Sequence, residues 1–381
     1  MSSFLFETPP RIVCERGAAL RLAPLLQGRR HAFVVTDAGL VRAGLIDAPV
    51  AALRKAGLRV TVHDKVEADP PEHVVLAAVD AARAAGADCV IGLGGGSSLD
   101  TAKLVALLAA SPQPLADIYG PQRATGPRLP LIQVPTTAGT GSEATPTSVV
   151  STPDHQKRGV ISSLLYPDVA VLDAQLTLAL PPAPTAMTGV DAMVHAIEAY
   201  TTRHLKNPMS DCLAREALRL LAGSLFRACR QGDDVEAREQ MLLGACVAGM
   251  AFANAPVAAV HALAYPLGAR FHIPHGLSNA LVLGPVMRFN LPVVTPLYAQ
   301  LADIVMPGLR GSDSEKATAL ADYLGGLAGE LGLATRLSEL GIVEADLEAL
   351  ASDAIKQQRL LGNNPRELTL ADVHAIYKEI L

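Results

Sequence analysis

The 381-residue sequence contains no tryptophan, and only 4% of its residues are aromatic. Charged residues make up 18% of the chain, whereas half of its residues are hydrophobic, which is too apolar for a disordered protein. No apolar run reaches the roughly 18 residues that a membrane-spanning helix needs, because charges, proline or glycine interrupt each one. We therefore expect a globular protein with a core of small aliphatic side chains and no membrane contact.

Basic charge and paired cysteines are also scarce. The net charge of −5 and the pI near 6.1 give no electrostatic reason to expect nucleic acid or an anionic membrane as a partner. The five cysteines show no CxxC or other paired spacing, which indicates reduced thiols. The first ten residues, MSSFLFETPP, lack the basic and apolar regions of a signal peptide. These absences predict a cytoplasmic protein.

The chain is too long for one hydrophobic core, and its pattern changes halfway. From HAFVVTDAGL to LPLIQVPTT, short apolar strand-like runs alternate with helical ones, which predicts a mainly parallel sheet covered by helices. Beyond the prolines at 181, 182 and 184, long Ala/Leu-rich segments have helical period instead. We expect an α/β domain over residues 1–182 and an all-helical domain over residues 183–381.

A strand runs into three glycines and then a helix in CVIGLGGGSSLDTAK. Gly94, Gly95 and Gly96 allow a sharp turn and a close approach to a ligand. The helix that follows is expected to begin near Ser97 or Ser98, and its N-terminus favours a phosphate. A tight turn with a serine N-cap is the alternative interpretation. The acid that usually follows such glycines by about 20 residues is absent here.

Asp37 instead ends an earlier strand, in FVVTDAGL. If that strand lies beside the glycine-turn strand, the Asp37 carboxylate can bind an adenosine ribose and repel a 2′-phosphate, which favours NAD over NADP. The alternative is that Asp37 is an ordinary turn or N-cap aspartate. A third polar loop, VPTTAGTGSEAT, follows another strand, where ligands of open α/β sheets bind; a capped loop with Glu143 at a helix start is its alternative. The hydroxyls that suit phosphate or nicotinamide belong to Thr136, Thr137, Thr140, Ser142 and Thr145.

Two apolar helical stretches carry ionisable residues. Asp191 and His195 stand four residues apart in TGVDAMVHAIEAY and share one helix face; a buried Asp–His pair without a metal is the alternative. His261 lies in a second apolar helix, and His272 and His275 follow it in RFHIPHG. One carboxylate with imidazoles suits Fe(II) or Zn at a site that acts as a Lewis acid. Spacing does not tell whether His272 or His275 is the ligand.

Four segments together, GGGSSLDTAK, PTTAGTGSE, GVDAMVHAIEAY and HALAYPLGARFHIPHG, resemble the iron-containing (group III, metal-dependent) alcohol dehydrogenase family. The resemblance runs from RIVCERGA to NNPRELTLADV, nearly the whole chain. It implies an α/β Rossmann-like NAD-binding domain and an all-α metal-binding domain, a dehydroquinate synthase-like architecture, with the active site in the cleft between them. It implies the metal ligands Asp191, His195, His261 and His275, and so favours His275 over His272.

The resemblance also implies a cofactor site and two departures. Its NAD-binding positions fall on Asp37, Asp69, Gly94, Gly95, Gly96, Ser97, Asp100, Thr136, Thr137, Thr140, Ser142, Thr145, Lys157 and Leu176. Asp69 stands where the family often has asparagine near the adenosine. Tyr265 stands where the family commonly has a second histidine close to the metal. Its hydroxyl can still donate a proton, so Tyr265 and His272 are the candidates for the catalytic proton path.

These features predict a metal-dependent, NAD-linked oxidoreductase that interconverts a small-molecule alcohol and an aldehyde or ketone by hydride transfer. The expected cofactors are NAD and Fe(II), with Zn as the alternative metal, in a homodimer or higher homo-oligomer. Alternatives with the same fold are a maleylacetate reductase, a glycerol dehydrogenase, a hydroxyacid–oxoacid transhydrogenase and a dehydroquinate synthase-like lyase; a non-catalytic NAD-binding protein is another. A synthase needs clustered basic side chains, and the region offers mainly Arg203, Lys206 and Arg270.

Overall fold

The computed structural model describes residues 3–153 and 157–381. The chain folds into two compact units. The first, called the α/β unit here, spans residues 7–179; the second, the helical unit, spans residues 180–381 together with the described residues before Glu7. The change of unit falls close to the proline cluster, where Pro182 begins a helix at a position that proline favours.

Nine strands lie within the described residues. In chain order they are β1 (Ile12–Cys14), β2 (His31–Val35), β3 (Arg59–His63), β4 (Cys89–Gly94), β5 (Gly120–Pro121), β6 (Leu131–Pro135), β7 (Thr147–Ser151), β8 (Lys157–Ile161) and β9 (Val169–Leu172). Six of them form a parallel sheet in the order β1-β9-β6-β4-β2-β3, which confirms the predicted parallel sheet. A second sheet, β5-β8-β7, contains the antiparallel pair β7–β8 and was not predicted.

Thirteen α-helices lie within the same described ranges. They are α1 (Ala38–Arg42), α2 (Asp47–Lys55), α3 (Glu72–Ala85), α4 (Gly96–Ala110), α5 (Pro182–Thr201), α6 (Pro208–Arg230), α7 (Val235–Asn254), α8 (Ala259–Phe271), α9 (His275–Val305), α10 (Asp313–Glu330), α11 (Leu347–Ala354), α12 (Gln358–Leu361) and α13 (Leu370–Glu379). The first four belong to the α/β unit and the other nine to the helical unit, as the change of pattern predicts.

Strand β2 is buried along its whole length, because helices cover both faces of the main sheet. Phe33 and Val35 pack in a cluster with α3 and α4, whereas Ala32 and Val34 pack in a second cluster with α2. Alternate residues of a strand point to opposite faces, so a continuous apolar run is what a strand buried on both sides requires. β2, β4 and β6 are parallel neighbours, so their carboxyl ends meet at one edge.

The 31-residue helix α9 runs through three prolines and is kinked at Val294, which has non-helical backbone angles. It is long and apolar enough to cross a membrane by length and composition, although charges, proline or glycine were expected to interrupt every apolar run too early for that. α7 and α8 would count as a second span only if taken together despite a bend of 107°. More than half of the apolar window of α9 is buried, and α9 packs against α5, α8 and α10, as a core helix does.

Candidate metal centre and cofactor-binding loops

Helix α5 presents Asp191 and His195 on one buried face, as their spacing predicts. The first turn of α9, which carries His275, packs directly onto the backbone of α5. Gly276 permits this packing, since a Cβ atom there would lie 2.6 Å from the carbonyl carbon of Met187. A glycine at this position therefore brings the start of α9 close to the acidic face of α5.

Three of the four predicted ligands form one compact group, and the fourth, His195, lies beside Asp191. The Nε2 atoms of His195, His261 and His275 lie 3.8, 3.7 and 3.7 Å from Oδ1 of Asp191. One ligand atom from each of Asp191, His261 and His275 lies within 4.8 Å of the other two. The His195 ring stacks on the His261 ring with centroids 4.7 Å apart. One carboxylate and three imidazoles at these separations fit a single Fe(II) or Zn ion.

Asn279 also belongs to this centre, although the sequence patterns did not single it out. It is fully buried on α9, one turn after His275. Its Nδ2 donates to Oδ1 of Asp191 at 2.6 Å and lies 3.4 and 3.3 Å from Nε2 of His261 and His275. Its Oδ1 is buried and has no hydrogen-bond partner among the described residues. A buried polar atom without a partner lowers the stability of a protein, so such atoms are rare. The four-residue step from His275 is the signal that could have found it.

Glu198 lies behind His261 on the same face of α5 as the two predicted ligands. Its Oε2 is 2.6 Å from Nδ1 of His261, and its Oε1 accepts a hydrogen bond from the Val260 N–H at 2.7 Å. Burial disfavours a charged imidazole, but the nearby carboxylates of Glu198 and Asp191 outweigh burial and raise the pKa of His261. The seven-residue step from Asp191 to Glu198 in an apolar helix was an available signal for this contact.

The two candidates for proton transfer occupy different surroundings. Tyr265 is half-buried on α8, and its ring centroid lies 5.8 Å from that of His275, so it borders the metal centre. His272 is exposed and forms the C-cap of α8 with a left-handed backbone (φ 56°). The structure therefore places His275, and not His272, with the other predicted ligands.

In the α/β unit, the glycine turn and the threonine loop lie together at the carboxyl ends of β4 and β6. The Thr136 N–H donates to the carbonyl oxygen of Gly94 at 3.0 Å. Gly95 is the N-cap of α4, which begins at Gly96, so a serine N-cap is wrong. A Cβ atom on Gly96 would lie 2.7 Å from Cγ2 of Thr140, which shows how closely the loop covers the turn, and Thr137 lies beside Gly95.

Two predicted cofactor residues use their polar atoms to hold this loop. Asp100 accepts hydrogen bonds from Oγ of Ser142 at 2.5 Å and from the Val149 N–H at 2.8 Å. Thr145 accepts a hydrogen bond from Nζ of Lys103 at 3.1 Å. Lys103 is buried, and burial lowers its pKa even though acidic neighbours oppose the shift. These contacts give the threonine loop a fixed shape.

Asp69 and Lys157 form an ion pair beside the glycine turn. Nζ of Lys157 lies 2.6 Å from Oδ1 of Asp69, and the Asp69 N–H donates to Oγ of Ser97 at 3.2 Å. Asp69 has a left-handed backbone (φ 52°), which aspartate tolerates better than most residues. The ion pair therefore places one positive and one negative group next to the candidate phosphate site.

Asp37 ends β2, which pairs with β4 as expected. Its Oδ1 accepts hydrogen bonds from the N–H groups of Gly39 and Leu40, so it is also the N-cap of α1 that the alternative interpretation described. Leu176 is 9% exposed and packs within the apolar core of the α/β unit, so its side chain is a packing group rather than a polar partner.

Comparisons with known proteins show the family of this chain. The family model for iron-containing alcohol dehydrogenase matches residues 9–174, and the model for the C-terminal part of the Fe-containing alcohol dehydrogenase family matches residues 185–381. The chain is 42% identical over 380 residues to long-chain-alcohol dehydrogenase 1 of Geobacillus thermodenitrificans, covering 97% of this chain and 95% of that protein.

Solved structures agree with these sequence matches. The crystal structure of a 1,3-propanediol oxidoreductase has a TM-score of 0.96 and 32% identity over all of both chains. Sulfoacetaldehyde reductase from Bifidobacterium kashiwanohense in complex with NAD+ has a TM-score of 0.90 and 28% identity, covering 100% of this chain and 99% of that one. This chain belongs to the iron-containing alcohol dehydrogenase family.

Family membership confirms several predictions. The protein is an oxidoreductase that interconverts alcohols with aldehydes or ketones, and NAD and iron are its cofactors. The α/β unit followed by an all-helical unit is the predicted fold class.

Proposed function

We propose that Asp191, His195, His261 and His275 bind the iron of this NAD-linked alcohol dehydrogenase. The observation that carries the proposal is the convergence of three Nε2 atoms at 3.7–3.8 Å from one carboxylate oxygen. A bound iron would supply Lewis-acid chemistry at the substrate oxygen, and NAD would supply the hydride donor or acceptor.

The protein groups around the centre have distinct roles in this proposal. Asn279 holds the Asp191 carboxylate by a hydrogen bond, and stacking on Phe252 keeps the His195 ring in place, with ring centroids 4.3 Å apart. Tyr265 is the candidate donor of a hydroxyl proton at the border of the site. Exposed His272 is proposed only to exchange protons with solvent.

The α/β unit is proposed to bind NAD through its glycine turn and threonine loop. The first turn of α4, from Gly96, offers free N–H groups and the positive end of a helix dipole to the pyrophosphate. The hydroxyls of Thr137 and Thr140 lie beside the turn, and Lys157 supplies a positive charge that Asp69 partly neutralises. Asp37 at the end of β2 is proposed to bind the adenosine ribose.

Of the three basic residues that the lyase alternative would need, Arg203 is exposed and the other two have acidic partners. Lys206 lies 2.5 Å from Asp211, and Arg270 lies 2.5 Å from Asp353. Both cations are therefore already paired within the helical unit, whereas a phosphorylated, carboxylated substrate needs cations that are available to it. The redox reaction needs no such cluster.

We also propose a cytoplasmic homodimer or higher homo-oligomer. Support for a reducing compartment comes from the five cysteines, all within the described residues, which form no disulfide; three of them are buried. Light scattering coupled to gel filtration tests the assembly, and a molar mass equal to that of one chain would contradict it.

The metal assignment is tested with Asp191→Ala and His275→Ala. Each variant is reconstituted separately with Fe(II) and Zn(II), and bound metal and NADH-linked aldehyde reduction are measured. We expect both variants to lose most of the metal and the turnover. Asp313→Ala, at the exposed start of α10, is the control and should behave as the unmodified protein. Full metal content and turnover in both ligand variants would refute the assignment.

A further inference from the structure

We propose that Glu198 is a positioning residue that orients His261 for metal binding. The inference rests on the proposed metal site and concerns a residue that does not itself touch the metal. Glu198 is 4% exposed on α5. Its two oxygens are directed at adjacent residues of α8, with Oε2 2.6 Å from Nδ1 of His261 and Oε1 2.7 Å from the Val260 nitrogen.

The contact with Nδ1 selects one form of the imidazole. An ionised carboxylate only accepts hydrogen bonds, so the 2.6 Å contact with Glu198 favours the tautomer that has its hydrogen on Nδ1 of His261. In the neutral ring, Nε2 then carries the lone pair, and this atom faces Oδ1 of Asp191 at 3.7 Å. Without Glu198, the neutral ring can also place its hydrogen on Nε2, where it blocks the metal.

The contact with Val260 fixes the backbone that carries the ring. Val260 lies in the first turn of α8, where backbone N–H groups have no partner within the helix. Ala258, the N-cap of α8, offers no side-chain hydrogen bond, and the Glu198 carboxylate replaces it. A carboxylate also interacts favourably with the positive end of the helix dipole. One side chain therefore sets the start of α8 and the orientation of the ring one residue further on.

Charge within the centre also favours a bound cation. The carboxylates of Glu198 and Asp191 are both buried, and His261 contacts both of them. A buried carboxylate is costly unless it is paired. A divalent cation held by Nε2 of His261 and by Asp191 would carry two positive charges beside these two carboxylates, so the position of Glu198 agrees with a metal-binding role.

Glu198→Gln separates the two contacts. The glutamine keeps one oxygen for the Val260 N–H, and its amide group then faces Nδ1 of His261 and favours a hydrogen on Nε2. We expect the Kd for Zn(II), measured by competition with a chelator, to rise about 10- to 100-fold. Glu216→Gln, on α6 and paired with Arg219 at the surface, is the matched control and should leave the Kd unchanged. A Kd of Glu198→Gln within about twofold of the unmodified protein would overturn the proposal.

A second measurement does not depend on the folding of Glu198→Gln. In zinc-loaded unmodified protein with 15N-labelled histidine, we expect the His261 signals, assigned by their loss in His261→Asn, to show the hydrogen on Nδ1. A hydrogen on Nε2 would overturn the proposal. If the unmodified protein binds no Zn(II) or Fe(II), the metal site itself is wrong and the role of Glu198 falls with it. Metal binding that is unaffected by Glu198→Gln refutes only the positioning role.

Discussion

Gly276→Ala should displace a proposed metal ligand without altering any ligand. The added Cβ atom would lie 2.6 Å from the carbonyl carbon of Met187, and closer still to its oxygen. Ordinary contacts begin at 3.4 Å, so the first turn of α9 must move away from α5 by about 1 Å. The obstacle is backbone on a buried helix, so it cannot rotate away as a side chain would.

His275 precedes Gly276 and moves with it. Nε2 of His275 is already 3.7 Å from Oδ1 of Asp191, and a further displacement of about 1 Å exceeds the tolerance of roughly 0.5 Å for a working site. We expect the Kd for Zn(II) to rise about 100-fold, by analogy with the cost of a 1 Å misplacement at an active site. Overpacking should also cost about 1–3 kcal/mol of unfolding free energy.

The assay compares Gly276→Ala with Gly326→Ala on α10. At Gly326, the new Cβ atom meets nothing within 4 Å, so the same change should leave metal binding unaltered and stabilise the helix by about 0.5–1 kcal/mol. Metal affinity is measured by chelator competition, and stability by denaturant unfolding of the metal-free proteins. Unmodified affinity and stability in Gly276→Ala would refute the inferred close approach of α9 to α5.

Three further predictions concern the α/β unit. Asp100→Ala removes both hydrogen bonds that hold Ser142 and the adjoining strand. We therefore expect a loss of about 1–3 kcal/mol in unfolding free energy and a higher Kd for NADH in a fluorescence titration. An unchanged Kd would contradict this role. Burial raises the pKa of Asp168, but hydrogen bonds from Arg128 and a backbone N–H outweigh burial and lower it. The ionised Asp168 carboxylate therefore adds about 1 kcal/mol to the unfolding free energy after solvent screening. This stabilisation is present above the unfolded pKa of about 3.9 and is lost as the pH falls towards the folded pKa. In denaturant unfolding, the stability difference between Asp168→Asn and the unmodified protein should shrink below a pH of about 4, and a constant difference would contradict this. Asp37→Ser should narrow the preference for NADH over NADPH in kcat/KM, and an unaltered ratio would remove the proposed role of this carboxylate.

Much of the α/β unit is predictable because its signals are local. β2 and β4 are continuous apolar runs, and the C-cap of α3 is Gly86, a glycine with a left-handed backbone. β7 and β8 were missed because β7 alternates between buried and half-exposed residues and β8 has only one buried residue, so neither forms a continuous apolar run. Their pairing depends on contacts between the two strands rather than on a strong pattern in either.

The metal centre was predictable only in part, because three helices that are distant in the sequence build it. The four-residue spacing places Asp191 and His195 on one face, but spacing alone left His272 and His275 equivalent. They differ because α8 ends at Phe271 and its C-cap, His272, has a left-handed backbone without being glycine, so no C-cap glycine marks the end. Glu198 was within reach of the periodicity, since a charged residue on the apolar face of α5 needs a partner.

All four proposed ligands lie on helices of one unit, two on α5 and one each on α8 and α9. A metal ion at this site would join segments that lie up to 84 positions apart along the chain, from Asp191 to His275. By mass action, metal binding should raise the melting temperature, and the rise should increase with the metal concentration, even in a buffer without NAD. The stability of the helical unit and the activity of the enzyme would therefore both depend on binding the same metal ion.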